Sequence, residues 1–188
     1  QCLVGSEMCI RDSPISAVTN KGYSLDENTD ILSLAGIKKY LDPDRQGLEI
    51  EVYKEVSSTN LVLKDYANQG VPEGRIVIAG MQTQGRGRLG RSFFSPSDSG
   101  LYMSILLRPD MAAADAVKIT TAAAVSVALA VEKVSDQKPD IKWVNDIYIN
   151  GRKICGILTE ASFSMESGGL DYAVLGLSLI HISEPTRH

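Results

Sequence analysis

Several of the features that mark specialised proteins are scarce in this sequence. It holds no run of about 18 apolar residues, so nothing is expected to span a membrane. The longest apolar region, ITTAAAVSVALAV at 119–131, is short and rich in alanine and threonine. The three cysteines, Cys2, Cys9 and Cys155, form an odd, scattered set. They have neither metal-ligand spacing nor the look of a disulfide framework, and a reducing cytoplasm is the default. The only two histidines, His181 and His188, fall in the last stretch of the chain. Positive charge is not in excess either: 19 Lys and Arg face 23 Asp and Glu, a net charge of −4. General affinity for nucleic acid is therefore not expected, and any anion binding must be local. Internal repeats and low-complexity segments are absent.

What remains is an ordinary globular composition, 44% hydrophobic and 22% charged over 188 residues, enough for one good core. Both ends stand apart. QCLVGSEMCIRDS (1–13) and SLIHISEPTRH (178–188) have no period that continues into their neighbours, and both resemble translated sequencing-adapter DNA. They are expected to be artefacts, which makes the natural chain longer at both ends.

Between them, Asn20-Lys21-Gly22 reads as a tight turn between two short strands. TDILSLAGIKKYLD (29–42) reads as a helix capped by Thr29 or Asp30 and stopped by Pro43. LEIEVYKEV (48–56) alternates as a half-buried strand does. SSTNLVLKDYANQG (57–70) reads as a helix whose first-turn N–H groups are served by the hydroxyls of Ser57, Ser58 and Thr59, with Gly70 as its stop. Strands follow at 75–83 and 100–109, then a long and mostly buried helix over 112–135, with Val117, Ala124, Val125, Ala128, Leu129 and Val131 on its apolar face. Asn150-Gly151 marks a hairpin. A Gly-Gly turn and one more strand end the pattern, and the chain, expected to stop mid-sheet there, is expected to leave an unpaired edge. These connections are too short for repeated crossovers, so the expected fold class is α+β, a mixed and largely antiparallel sheet packed against helices.

Three groups could carry chemistry. QTQGRGRLGRSFFSP (82–96) sets Arg86, Arg88 and Arg91 among Gly85, Gly87 and Gly90, and Arg108 follows the next strand. Guanidinium groups and loop N–H groups suit a phosphate or carboxylate. The pattern is neither a Walker A loop nor a dinucleotide fingerprint, and alone it reads equally well as a solvated basic turn. In KWVND (142–146), Lys142 sits in a run of otherwise buried character. It reads either as an edge-strand lysine or as a cation aimed into a polar cavity. Asn145-Asp146 could be a simple turn. SSTN (57–60) reads as a helix cap, which is compatible with a ligand site.

In this order and spacing, SSTN, QTQGRGRLGRSFFSP, LYMSILLRP and KWVNDIYINGRKICGILTE resemble the catalytic domain of bacterial biotin protein ligases, from about Glu51 to Gly176. VTNKGYSLDENTDILS (18–33) resembles the wing and exit of the winged helix-turn-helix domain of the family's ligase–repressors. The resemblance implies artefact at 1–13, a remnant of the wing at 14–28, helix and linker at 29–47, a truncated catalytic domain at 48–177 and artefact at 178–188. It implies the class II synthetase-like biotin/lipoate ligase fold, incomplete at its C-terminal end.

The resemblance also implies an activity: biotin, ATP and Mg²⁺ give biotinyl-5′-AMP, and the biotinyl group passes to a lysine of a biotin carboxyl carrier protein. Such chemistry asks for charge management. Carried over by position, Ser58, Thr59 and Asn60 contact biotin. Gln82 lies beside its head group. Gly85, Arg86, Gly87 and Arg88 fold over the adenylate, Lys142 reaches carboxylate and phosphate oxygens, and Gly156 admits the ligand to the backbone. Lys142 and Arg88 are the implied catalytic pair. No fixed metal site is implied, since Mg²⁺ comes with ATP, with Asp146 as a helper. Val144 stands where the family has proline, and Phe93 where many members have tryptophan. Lipoate or octanoate transfer on the same fold is the alternative activity. A biotin-sensing repressor would add operator DNA as a partner, and a homodimer is within the family's range. The chain as it stands is expected to be weakly folded or inactive.

Overall fold

The computed structural model describes residues 15–18, 22–25, 32–97, 99–164 and 168–180. Strands β1 (Ile15–Val18) and β2 (Gly22–Leu25) pair antiparallel, as the Asn-Lys-Gly turn predicts, although Asn20 and Lys21 themselves lie outside the described residues. Helix α1 (Leu34–Lys39) is shorter than expected. Thr29 and Asp30 lie outside the described residues; the cap is Ser33, whose hydroxyl accepts from the Gly36 N–H at 3.1 Å. Pro43 opens a separate 3₁₀ turn, Pro43–Arg45, beyond the helix.

Seven strands build the main sheet: β3 (Ile50–Tyr53), β4 (Ile76–Ala79), β5 (Gly100–Leu107), β6 (Asp140–Lys142), β7 (Asp146–Ile149), β8 (Arg152–Phe163) and β9 (Leu170–Ile180). Their order is β3-β4-β5-β9-β8-β7-β6. Only β3 and β4 pair in parallel; among neighbouring strands they are the two joined through a helix, α2 (Thr59–Asn68). The β7–β8 hairpin turns on Asn150 and Gly151, both at positive φ (51° and 75°), the backbone that a tight two-residue hairpin requires. The last strand corrects an expectation. β9 has no open edge; it pairs with β5 on one side and β8 on the other, and its pairing continues to Ile180, past the expected boundary at 177. The sheet's edges are β3 and β6.

Alternation along the strands divides the core into two layers. Tyr172 and Val174 of β9, with Leu106, Val77, Leu63 and Ala67, pack on the α2 side. Ala173 and Leu175 of the same strand, with Ile147, Cys155 and Ile157, pack on the opposite face under α3 (Val117–Val134). Helix α3 is less buried than its composition predicts. Ile119, Ala123 and Ala124 are buried on the sheet, whereas Val117, Val125 and Leu129 of the expected apolar face are exposed. The face that packs is the one whose small alanines let helix and sheet approach. With the turn before it, Ala113–Val134 has 22 residues and a mean hydropathy of 1.6, so one helix is long and apolar enough to cross a membrane by length and composition. Its buried side covers the sheet.

Gly70, at φ 79°, ends α2 in a Schellman arrangement: Gly70 N–H bonds to the Ala67 carbonyl and Val71 N–H to the Tyr66 carbonyl, each at 3.1 Å. Arg108 completes this end. Its guanidinium donates to the carbonyls of Ala67 at 2.8 Å, Val71 at 3.1 Å and Asp171 at 3.3 Å. The sequence groups Arg108 with the glycine-rich loop, but it lies at the other end of β5 and serves the helix. Replacing Arg108 by alanine should strip a cation from carbonyls that have few other partners and cost about 1–3 kcal/mol. Lysine should restore little, because one ammonium cannot reproduce the planar fork. Urea unfolding of both variants measures the effect.

Candidate functional site

The α2 face of the sheet carries a cavity of about 490 Å³ where the start of the helix, the glycine-rich loop and the β7–β8 hairpin converge. Its base is a polar cluster. Asn60 is buried at the first turn of α2. The Ser104 hydroxyl on β5 lies 2.6 Å from Asn60 Oδ1 and 2.7 Å from Thr59 Oγ1. Gly176 on β9 is opposite Ser104 in register, and any Cβ there would run into the Asn60 amide. A glycine is thus the condition for seating the asparagine on the sheet.

The cap of α2 differs from the expected one. Ser58 occupies the N-cap position, but its side chain makes no capping bond. The acceptor comes from another segment: Gln82 Oε1 takes the Thr59 backbone N–H at 2.9 Å and lies 3.2 Å from the Thr59 hydroxyl. Gln82 Nε2 donates to Ser95 Oγ at 3.2 Å. The expected cap by the Ser58 hydroxyl is not formed; a glutamine 23 residues away serves the helix instead, because β4 delivers it beside the helix start.

The loop folds back on itself. Phe93 N–H donates to the Gly85 carbonyl and Gly87 N–H to the Arg91 carbonyl, both at 2.8 Å. Gly85 is a packing glycine: a Cβ would collide with the Phe93 carbonyl and the Ser95 hydroxyl. Leu89 and Gly90 at its tip have φ of 57° and 72°. Arg86, Arg88 and Arg91 all line the cavity. Arg88 donates to Asn145 Oδ1 at 3.1 Å, and Asn145 Nδ2 in turn donates to the Ile157 carbonyl at 3.2 Å. The Trp143–Asn145 turn is therefore both a turn and part of the site, since Asn145 and Asp146 line the same cavity.

The hairpin supplies a cation that sequence reasoning missed. Asp146 pairs with Gly156, Ile147 with Cys155, but Tyr148 with Lys153, so β8 carries one extra residue, Ile154. This bulge changes the parity of the strand. Ile154 and Cys155 are both buried on the core side, and Lys153 shares the cavity side with Gly156. Strict alternation would have placed Lys153 with Cys155 in the core, which is why the pattern concealed it. Its ammonium bonds to Asp146 Oδ1 at 2.8 Å and lies 5.9 Å from the Phe93 ring centre. The space left by the missing side chain of Gly156 is taken by this head group, 3.1 Å from where a Cβ would stand. Lys142 is placed elsewhere. It is exposed on the edge strand β6, with its ammonium 5.4 Å from the Tyr148 ring centre, and does not line the cavity. Its neighbours Ile141 and Trp143 are exposed too, contrary to the buried character their types suggest.

Under the cavity, Glu160 of β8 collects two hydrogen-bond donors and a second cation. Asn60 Nδ2 reaches Oε2 at 2.8 Å, Lys64 Nζ reaches Oε1 at 2.5 Å, and Arg86 Nη1 lies 3.7 Å from the same Oε1. Burial pushes this carboxyl's pKa up, but the hydrogen bonds from Lys64 and Asn60 and the charges of Lys64 and Arg86 outweigh it and hold it below the ordinary carboxylate range. On the other face, burial raises the Cys155 thiol to about 12, so it stays protonated and inert.

Of the residues singled out from sequence, Ser58, Thr59, Asn60, Gln82, Arg86, Gly87, Arg88, Asp146 and Gly156 come together around the cavity, and Gly85 and Lys142 do not line it. Among the described residues no group of three or more His, Cys, Asp or Glu could hold a metal. Asp146, the acidic residue on the cavity, already has Lys153 as its partner.

A mixed sheet, an arginine-bearing loop and a bulged hairpin over a helix start thus enclose a cavity lined by Arg86, Arg88, Arg91 and Lys153. The chain belongs to the biotin/lipoate A/B protein ligase family, whose model matches residues 52–179. It is 40% identical over 146 residues to the bifunctional ligase/repressor BirA of Bacillus subtilis, covering 78% of this chain and 45% of that protein. The Escherichia coli protein of the same name is 35% identical over 146 residues, with 78% and 44% covered. The structure resembles the biotin protein ligase of Aquifex aeolicus in complex with biotin and ATP, with a TM-score of 0.58 and 31% identity over 73% of this chain and 55% of that one. The chain thus spans about half the length of these relatives.

Two outcomes follow for the site itself. Gly85→Ala should unfasten the loop, and trypsin should then cut at Arg86, Arg88 and Arg91 several-fold faster while the global melting transition moves little. Glu160 is more acidic folded than unfolded, so its charge contributes stability that is complete above the unfolded pKa of about 4.3 and is lost as pH falls through the lower, folded value. The stability difference between wild type and Glu160→Gln should be full at neutral pH and shrink under acid, read by urea unfolding at both.

Proposed function

We propose that this domain activates the carboxylate of biotin with ATP, giving biotinyl-5′-AMP and pyrophosphate, and then passes the biotinyl group to a lysine amine of a biotin carboxyl carrier protein with release of AMP. The observation that carries this reading is the convergence of Arg86, Arg88, Arg91 and Lys153 on one cavity whose inner wall, Thr59 to Asn60 and Gln82, is uncharged. A carboxylate and a triphosphate repel each other; a ring of fixed cations at the open side and neutral amides inside lets both bind and stabilises the charge that builds on the α-phosphate. Mg²⁺ enters as part of the nucleotide substrate.

In this reading Lys153 is the cation nearest the reacting oxygens. The role that the resemblance gives to Lys142 passes to it, because Lys153 is the lysine on the cavity. Arg88, braced by Asn145, holds the adenylate. The β1–β2 hairpin is read as the wing of a DNA-binding domain, which would make operator DNA a further partner, and the setting as cytoplasmic.

Lys153→Met should lower adenylate formation by about 10²–10³-fold, whereas Lys142→Ala should retain most of it. Pyrophosphate release and adenylate yield measure both. The reverse ranking would return the role to Lys142. Biotin should raise the melting temperature and lipoate should not; protection by lipoate alone would replace the substrate.

A further inference from the structure

Arg86 is the loop arginine that reaches past the cavity to the sheet. Its guanidinium stands 3.7 Å from Glu160 Oε1, the same oxygen that Lys64 contacts at 2.5 Å, while Asn60 takes Oε2 at 2.8 Å. The three groups come from the first turn of α2, the next turn of the same helix, and the glycine-rich loop. Their distances are unequal in a telling way. Lys64 holds the carboxylate closely, so one negative charge meets one positive charge before Arg86 is counted. Lys64, Glu160 and Arg86 together carry one net positive charge, and Arg86 is the member that lines the cavity.

We infer that Glu160 is a positioning residue that tethers the glycine-rich loop through Arg86, and that Lys64 cancels its charge so that the tethered arginine remains cationic toward an anionic ligand. Without Lys64, the carboxylate would bind Arg86 alone and neutralise it. Without Glu160, two cations would face each other across a partly buried gap and the loop would lose its inner anchor. The same carboxylate fixes the Asn60 amide with its N–H side toward β8 and its oxygen toward Ser104, so loop position and pocket floor share one support.

The inference deepens the proposed reading for the ligand, but the tether is testable without any ligand. Hydrogen exchange of a peptide spanning 85–92 should be roughly fivefold faster in Glu160→Gln than in wild type. The glutamine carbonyl still serves Asn60, so α2 should keep its protection. Lys64→Met should leave loop exchange unchanged or slower while weakening biotinyl-adenylate binding several-fold. Arg86→Leu should raise loop exchange by itself, and adding Glu160→Gln to it should add nothing, because both remove one contact. Unchanged loop exchange in Glu160→Gln, additive effects in the double variant, or a Lys64→Met loop as loose as that of Glu160→Gln would each overturn the tether. Wild-type protein that binds no biotinyl-adenylate would overturn the proposed function, and the ligand-free exchange series would still decide the tether.

Discussion

A buried asparagine at the start of a helix is the constraint on which this domain rests. Asn60 is almost fully enclosed, and an enclosed amide must be hydrogen-bonded on both sides or it costs stability. Its oxygen needs Ser104 on β5, its nitrogen needs Glu160 on β8, and its volume needs the absence of a side chain on β9. Three strands from distant parts of the chain must therefore be in one register before the first turn of α2 can settle. The helix, the sheet and the floor of the cavity are fixed by the same few bonds. The second support, Gln82 against Thr59, brings the exit of β4 to the same point. It leads directly into the arginine loop, so the loop starts from a fixed place.

The electrostatics follow from that geometry. The chain is acidic overall, yet the cavity mouth gathers Arg86, Arg88, Arg91 and Lys153 against one lining carboxylate, Asp146. The acidic surplus is placed where it does not compete. Glu160, the nearest carboxylate beneath, is held by Lys64 and Asn60. The domain thus concentrates cations locally without becoming a polycation, which limits indiscriminate binding to nucleic acid.

What could be read from sequence divides along physical lines. The layered α+β class, the hairpin at Asn150-Gly151 and the succession of elements along the chain were legible because they depend on local signals: period-two alternation, positive-φ residues, short connections. The helix start and the loop were legible as motifs. Three side-chain placements were not. Gln82 as cap of α2 depends on a contact spanning 23 positions. Arg108 looks like a member of the loop's charge cluster, and only the length of β5 carries it to the opposite end of the sheet. Lys153 was hidden by a single inserted residue, because alternation is a local rule that one bulge reverses. The exposed face of α3 failed for another reason: composition reports how apolar a helix is, not which side of it finds a partner.

The bulge at Ile154 also changes how variation in this hairpin should be weighed. A substitution there swaps one buried side chain for another and leaves the strand's handing-out of faces intact. A slip in register that gave Ile154 a partner of its own would do more, and in a misleading direction. Pairing between β7 and β8 would become regular, the ladder would gain a bond, and the local sheet would look better made. Every residue of β8 before Ile154 would change sides, and the lysine would be turned from the cavity into the core. In this hairpin the irregular sheet is the functional one, and an improvement in secondary structure would register as a loss of the site.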